Sequence, residues 1–281
     1  MLTLRATTVV PVQSVAPGCG AVAVTRRGNH SVVTRAFATS PLRLLNPSNH
    51  GGAAWIYTSS LGGGLVDGDD IQLAVDVGPD ASAYVSTQSS TKVYRSPRGT
   101  KTVLRGSVAV GGLLVIAPDP VVPFASSRYR QVQQYDIATD AGLVVVDVLA
   151  SGRRAAGERW RFVEYHSTIE VRMNGRLRIH DALCLRQEDG DVAQRLGRFD
   201  VLALALVAGG RLRDDVGRLT MTPPQPATRR AEQIVSVSAV GDAACLIRIA
   251  ATTTERASRT LRDLLRFVPA RLGDDPWIRK W

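Results

Sequence analysis

The stretch GGGLVDGDDIQLAVDVG, residues 62–78, admits two readings, a phosphate-binding loop or a turn between strands, and the choice sets the fold class. Gly63 and Gly68 have the spacing of a GxxxxGK phosphate cradle. That cradle needs Lys and then Ser or Thr after the second glycine, and a helix whose N-terminus faces the anion. Asp69 and Asp70 occupy those positions instead, and two carboxylates repel a phosphate. The residues after them alternate with period two, Ile71, Leu73, Val75 and Val77 on one face and Gln72, Ala74 and Asp76 on the other, the signature of a strand. The region therefore reads as a strand over 55–57, a glycine-rich turn and a second strand, glycine supplying the positive φ that tight turns require. A calcium loop fails too: Asp67 and Asp69 fit its first two ligands, but Ile71 stands where the third oxygen is needed and no Glu sits at the twelfth position. The turn is either structural or a functional acidic loop.

On both sides of this turn, short alternating segments continue through the first two thirds of the chain. Residues 21–24, 31–37, 82–87, 102–110, 113–116, 129–137, 143–149, 160–173 and 176–185 all read as strands. Asn174-Gly175, between two of them, is the strongest hairpin signal. Strands follow strands without helices between them, which favours an antiparallel all-β architecture over a parallel α/β sheet. Residues 232–240 and 244–250 read as a returning pair, and 199–208 fits a helix or a buried strand equally. Helix is expected mainly late: Thr252 and Glu255 form a capping box, apolar residues follow at helical spacing, and Pro269 stops the run. Pro223, Pro224 and Pro226 mark a loop. No linker divides the 281 residues, so a single domain is expected, with a β region over about 20–190 and a mixed β/α part over about 191–281.

The net charge is +10, carried almost wholly by arginine, since Lys92, Lys101 and Lys280 are the only lysines. The arginines recur singly and aromatics make up 5% of the chain, which argues against a nucleic-acid-binding surface and for an acidic protein partner. No apolar run reaches the length of a membrane span and no leader pattern opens the chain, so a cytoplasmic location is expected. Cys19, Cys184 and Cys245 fit three free core thiols.

Several residues invite a chemical reading. Ser89 and Lys92 have the SxxK spacing of an acylating serine enzyme, but the flanks favour strand and turn and no companion motif follows. His30, His50, His166 and His180 form no metal-ligand spacing. Asp69, Asp147 and Asp181 stand inside apolar strands or at their turns, and Asp147, in LVVVDVL, is the most anomalous. An ionised carboxylate among valines is costly unless paired, metal-bound or wet. Its plain structural alternative is an ion pair with Arg153 or Arg154.

Four stretches in order resemble one family. The turn from Gly63 and Gly64 through Gly68 to Asp69, followed by the segment Thr91, Lys92, Tyr94 and Arg95, is similar to the signature of the UreD (UreH) urease accessory proteins. The segment containing Asp119, Pro123 and Phe124, the one containing Asp147, Gly152, Arg153, Gly157 and Glu158, and SPLRLLNP near residue 40 agree with it as well. The resemblance implies an elongated body of helically stacked strands with about two α-helices in the C-terminal third. It also implies a non-enzymatic chaperone that assembles with UreF and the GTPase UreG on apo-urease. Such a chaperone conducts nickel in transit through a water-filled tunnel, with no tightly bound cofactor. Asp69, Thr91, Asp147 and Asp181 match the polar positions associated with that tunnel. Two departures stand out: Asp67 replaces a usual glycine, and LNPSNHGG replaces an aromatic-containing segment.

Overall fold

The computed structural model describes residues 16–48, 51–223 and 228–278. Alternation of apolar and polar side chains produces a strand-dominated chain. The first strands are β1 (Cys19–Arg27), β2 (His30–Ala38), β3 (Leu42–Leu45), β4 (Ala54–Ser60), β5 (Asp70–Val77) and β6 (Ser82–Thr87). Next come β7 (Thr91–Val93), β8 (Thr100–Val108), β9 (Leu113–Ile116), β10 (Val121–Pro123), β11 (Arg128–Ile137) and β12 (Gly142–Ala150). The last are β13 (Glu164–Met173), β14 (Arg176–Arg186), β15 (Val201–Ala208), β16 (Gln233–Ala239) and β17 (Ala244–Ala251). Among the described residues four short α-helices accompany the later strands: α1 (Val192–Leu196), α2 (Arg213–Thr220), α3 (Thr254–Leu264) and α4 (Val268–Leu272).

The strands form two facing sheets. The first has the order β14-β13-β11-β8-β5-β1-β2, and the second runs β16-β17-β15-β12-β9-β6-β4-β3 with β7 and β10 attached beside β12. The chain alternates between them: β5 belongs to the first sheet, β6 to the second, and β8 returns to lie parallel to β5. A parallel neighbour requires a long crossover, usually helical. Here strands of the opposite sheet make the crossover, so the coil of the chain is itself the helix-like stacking. The antiparallel expectation therefore needs correction. β1-β5-β8-β11-β13 and β4-β6-β9-β12 are parallel runs, and antiparallel pairs are confined to the margins of the sheets, such as β1-β2, β13-β14, β3-β4 and β15-β17. Absence of helices between strands does not discriminate when strands serve as each other's crossovers.

The inward face of β5 (Ile71, Leu73, Val75, Val77) joins Leu143, Val145 and Leu149 of β12 in a core between the sheets. The opposite face of β12 (Val144, Val146, Val148) belongs to a second core, under Val216 and Leu219 of α2, Leu261 of α3 and Leu272 of α4. This double burial explains why β12 is almost continuously apolar, and it places Asp147 on the face between the sheets.

Other local differences have simple causes. Within residues 199–208, Val201–Ala208 form strand β15, not helix. Helix α3 is capped by Thr253, whose side chain accepts from the Arg256 amide at 3.2 Å, one residue beyond the expected cap. Pro269 opens α4 rather than ending helix, since a first-turn proline loses no hydrogen bond. Strand β13 starts at Glu164, and Trp160 sits outside it, in a bend at φ 54°. The three thiols are free, but only Cys245 is buried and Cys184 is exposed. His50, Lys280, Pro224 and Pro226 lie outside the described residues, as does the N-terminal segment.

Candidate functional site

A cavity of about 180 Å³ opens between the sheets beneath the glycine turn. Gly63, Gly64, Ser89, Ser90 and Thr91 line it, and from the first sheet Thr102, Tyr129, Gln131 and Gln133 do so as well. The polar residues arise from the alternation of β11, whose odd-numbered residues face inward: Tyr129, Gln131, Gln133, Tyr135 and Ile137. Where a core would place aliphatics, β11 places two amides.

From this wall a hydrogen-bonded row runs into the interior. Thr102 Oγ1 and the Tyr129 hydroxyl lie 2.7 Å apart, and Tyr129 donates to Gln131 Oε1 at 3.1 Å. Gln131 Nε2 donates to Asp147 Oδ2 at 2.9 Å and to Ser167 Oγ at 3.3 Å. Ser167 Oγ donates to Asp147 Oδ2 at 2.8 Å. Asp147 is 8% exposed, and the Gln131 and Ser167 groups that donate to it are neutral. Burial pushes its carboxyl above the ordinary value, while hydrogen bonds from Ser167, Gln131 and Tyr165 oppose that rise. The ion pair offered as its structural alternative does not form: Arg153 binds Glu158, and Arg154 binds Asp200 at 2.8 Å.

Asp181, on β14, forms an ion pair with Arg248 of β17. Arg248 shares a rung with Asp147 through Leu204, two strand spacings away, roughly 10 Å. The negative charge of Asp181 contributes to the upward push on Asp147. Thus Thr91 lies at the cavity wall, Asp147 behind Gln131, and Asp181 near the far margin of the sheets. Asp69 stands apart: its carboxylate accepts from the Val66 amide at 2.8 Å and faces a separate surface pocket beside Asp70 and Lys101. Asp67 pairs with Arg98 at 2.9 Å, and that hydrogen bond holds its carboxyl below the usual range.

The remaining motif residues build a corner. Tyr94 packs edge-on against Phe124 at 5.2 Å, and the Arg153 guanidinium lies 4.2 Å above the Phe124 ring. Glu158 binds Arg153 and accepts from the Ala125 amide at 3.0 Å, and the Arg153 hydrogen bond keeps its carboxyl low. Pro123 pairs with Val93 through β10 and β7, Asp119 bonds Thr87 at 3.1 Å, and Gly152 and Gly157 flank the Arg153 turn with positive φ. Lys92 and Arg95 are exposed. Ser89 lies in a bend rather than a helix, so it is not one helical turn from Lys92.

Among the described residues no three His, Cys, Asp or Glu side chains converge to hold a metal ion. The row instead offers single oxygen donors. Sequence reasoning missed Thr102, Tyr129, Gln131, Ser167 and Tyr165. The available signal was two glutamines at alternate positions in RYRQVQQYDI, on the same face as Tyr129 and Tyr135.

Comparison with known proteins gives a consistent picture. The family described as UreD urease accessory protein matches residues 16–281. A urease accessory protein UreD of Sorangium cellulosum is 47% identical over 264 residues, covering 94% of this chain and 84% of the relative. One from Anaeromyxobacter is 40% identical over 93% of this chain and 89% of its own length. The urease accessory protein D of Oryza sativa subsp. indica is 33% identical over 93% and 96%.

Proposed function

Because this chain belongs to the UreD urease accessory protein family, we propose that it serves urease maturation as a non-enzymatic conduit for nickel, working with UreF, the GTPase UreG and apo-urease. Its relatives carry the name of accessory proteins. Nickel is the cargo here, not a resident cofactor.

The observation that supports this reading is the hydrogen-bonded row from the cavity wall to a buried carboxylate that accepts from Gln131 and Ser167. Isolated oxygen donors suit transit, because tight nitrogen or sulfur ligation would hold nickel and stop delivery. Thr91 would meet the ion at the cavity, Asp147 would receive it in the interior, and Asp181 would draw it toward the far margin. No helix of the described residues is long and apolar enough to cross a membrane, and we place this work in the cytoplasm.

Neither rival reading gains support. The SxxK geometry needs a helix that residues 89–92 do not form. Base stacking needs exposed aromatics, and Phe37 is the sole aromatic among the exposed large hydrophobics of the described residues. The test is urease maturation in cells that express the urease structural and accessory genes with nickel, with this chain present, deleted or restored. Nickel-free urease on deletion and recovery on restoration support the role; unchanged nickel content removes it.

A further inference from the structure

Counting protons along the row fixes its direction. The Tyr129 hydroxyl has one proton and gives it to Gln131 Oε1, so its contact with Thr102 at 2.7 Å must be a bond that Thr102 donates. Ser167 gives its one proton to Asp147 and accepts from Gln131 Nε2. Every dipole in the row therefore points toward Asp147. Gln131 lines the cavity, whereas Asp147 is absent from its wall. A cation coming from the cavity meets an amide held with its N–H group against the carboxylate, the wrong end for a cation.

We propose that the Gln131 side chain is the gate of this row: a divalent cation reaches Asp147 only when the amide turns over. The turned amide brings Oε1 to Asp147 beside the Ser167 oxygen, giving a set of hard oxygen donors suited to a divalent ion. Nε2 then faces Tyr129, which accepts from it and gives its own proton to Thr102. Thr102 in turn rotates its proton toward the cavity. In the closed setting the buried carboxylate is satisfied without a cation; in the open setting it is satisfied by one. Tyr129 bonds the amide in both settings, donating to Oε1 in the closed one and accepting from Nε2 in the open one, and so acts as a positioning residue.

This inference rests on the nickel-conduit reading, and the test separates the two. Ni²⁺ retention by the full chain, in complex with UreF and UreG, is measured by equilibrium dialysis for Gln131→Glu and Gln131→Leu, each with and without Asp147→Asn. Gln131→Leu is the sharper arm, since it adds no ligand, nearly preserves side-chain volume and removes the oxygen that turnover brings to Asp147. Loss of that oxygen corresponds to retention about tenfold weaker than in the unmodified chain, Gln131→Glu, with oxygen at both ends, should retain nickel more tightly, and Asp147→Asn should abolish both differences. If Gln131→Leu retains nickel as tightly as the unmodified chain while Asp147→Asn still lowers urease activation, the gate is wrong and the conduit stands. If Asp147→Asn leaves activation unchanged, both fall.

Discussion

Ser167, on β13 of one sheet, gives its hydroxyl proton to Asp147, on β12 of the other, across 2.8 Å of buried interior. Gln131 is the register neighbour of Ser167 on β11 and reaches the same carboxylate oxygen. Two sheets whose shared core is mainly apolar are joined here by a carboxylate and two neutral donors. Such a group must carry a cost in stability, and that cost should be measurable.

Burial raises the Asp147 carboxyl above its ordinary value of 3.8, although Ser167 and Gln131 pull it down. The folded chain therefore keeps this proton to higher pH than the unfolded chain. The associated stability is fully present below the unfolded value and is lost as pH rises through the folded one. Asp147→Asn removes this titration, so its melting temperature relative to the unmodified chain should climb across the range where pH rises above the ordinary value of 3.8. A difference that stays flat across that range would show that the carboxyl is not raised.

Gly152 and Gly157 both have positive φ but different surroundings. A Cβ at Gly152 would lie 2.5 Å from the Glu158 carbonyl oxygen and 2.9 Å from that of Pro123, whereas one at Gly157 meets nothing within 4 Å. Gly157→Ala should cost about 1 kcal/mol from backbone conformation alone, and Gly152→Ala about 3 kcal/mol or more once the clash is added. Chemical denaturation of the two variants checks the order.

Arg153 joins Glu158 to the Phe124 ring. Its side chain is 49% exposed, so the ion pair is screened. Arg153→Ala should lower the melting temperature at neutral pH. Hydrogen bonding to Arg153 holds the Glu158 carboxyl below its ordinary value. The pair's contribution is thus present above the unfolded carboxylate range and fades as pH falls through the folded one. Melting curves at neutral and acid pH should show the Arg153→Ala deficit shrinking in acid.

Thr253→Ala should destabilise the chain by about 1 kcal/mol, since it frees the Arg256 amide, while Thr252→Ala should cost less than half as much. Equal losses at the two positions would move the cap back to Thr252.

The strand over 70–77 was legible because its face alternates cleanly, and so was the anomaly of Asp147, a charge in a run of valines. What the sequence could not show was the partner of each. Arg153 and Arg154 are near Asp147 in the chain, but Gln131 and Ser167, distant in sequence, are brought beside it by β11 and β13. Parallel pairing was hidden for a related reason. A local pattern records which face of a strand is buried, not which strand lies alongside, and crossovers made of strands leave no helical period between them. Thr252 and Thr253 show the smaller limit, where two adjacent threonines fit one capping pattern and only the backbone chooses. Asp69 carried the family's turn pattern, yet its carboxylate caps its own turn and lies apart from the cavity.

Whether Asp147 carries nickel is decided by the nickel content of urease purified from cells with the Asp147→Asn chain, with assembly of the accessory complex followed in the same cells. The conduit reading expects a complex that assembles normally and urease with at least about tenfold less nickel, as a change of one buried ligand in a transfer path should give. Urease fully loaded with nickel by the Asp147→Asn chain would contradict it.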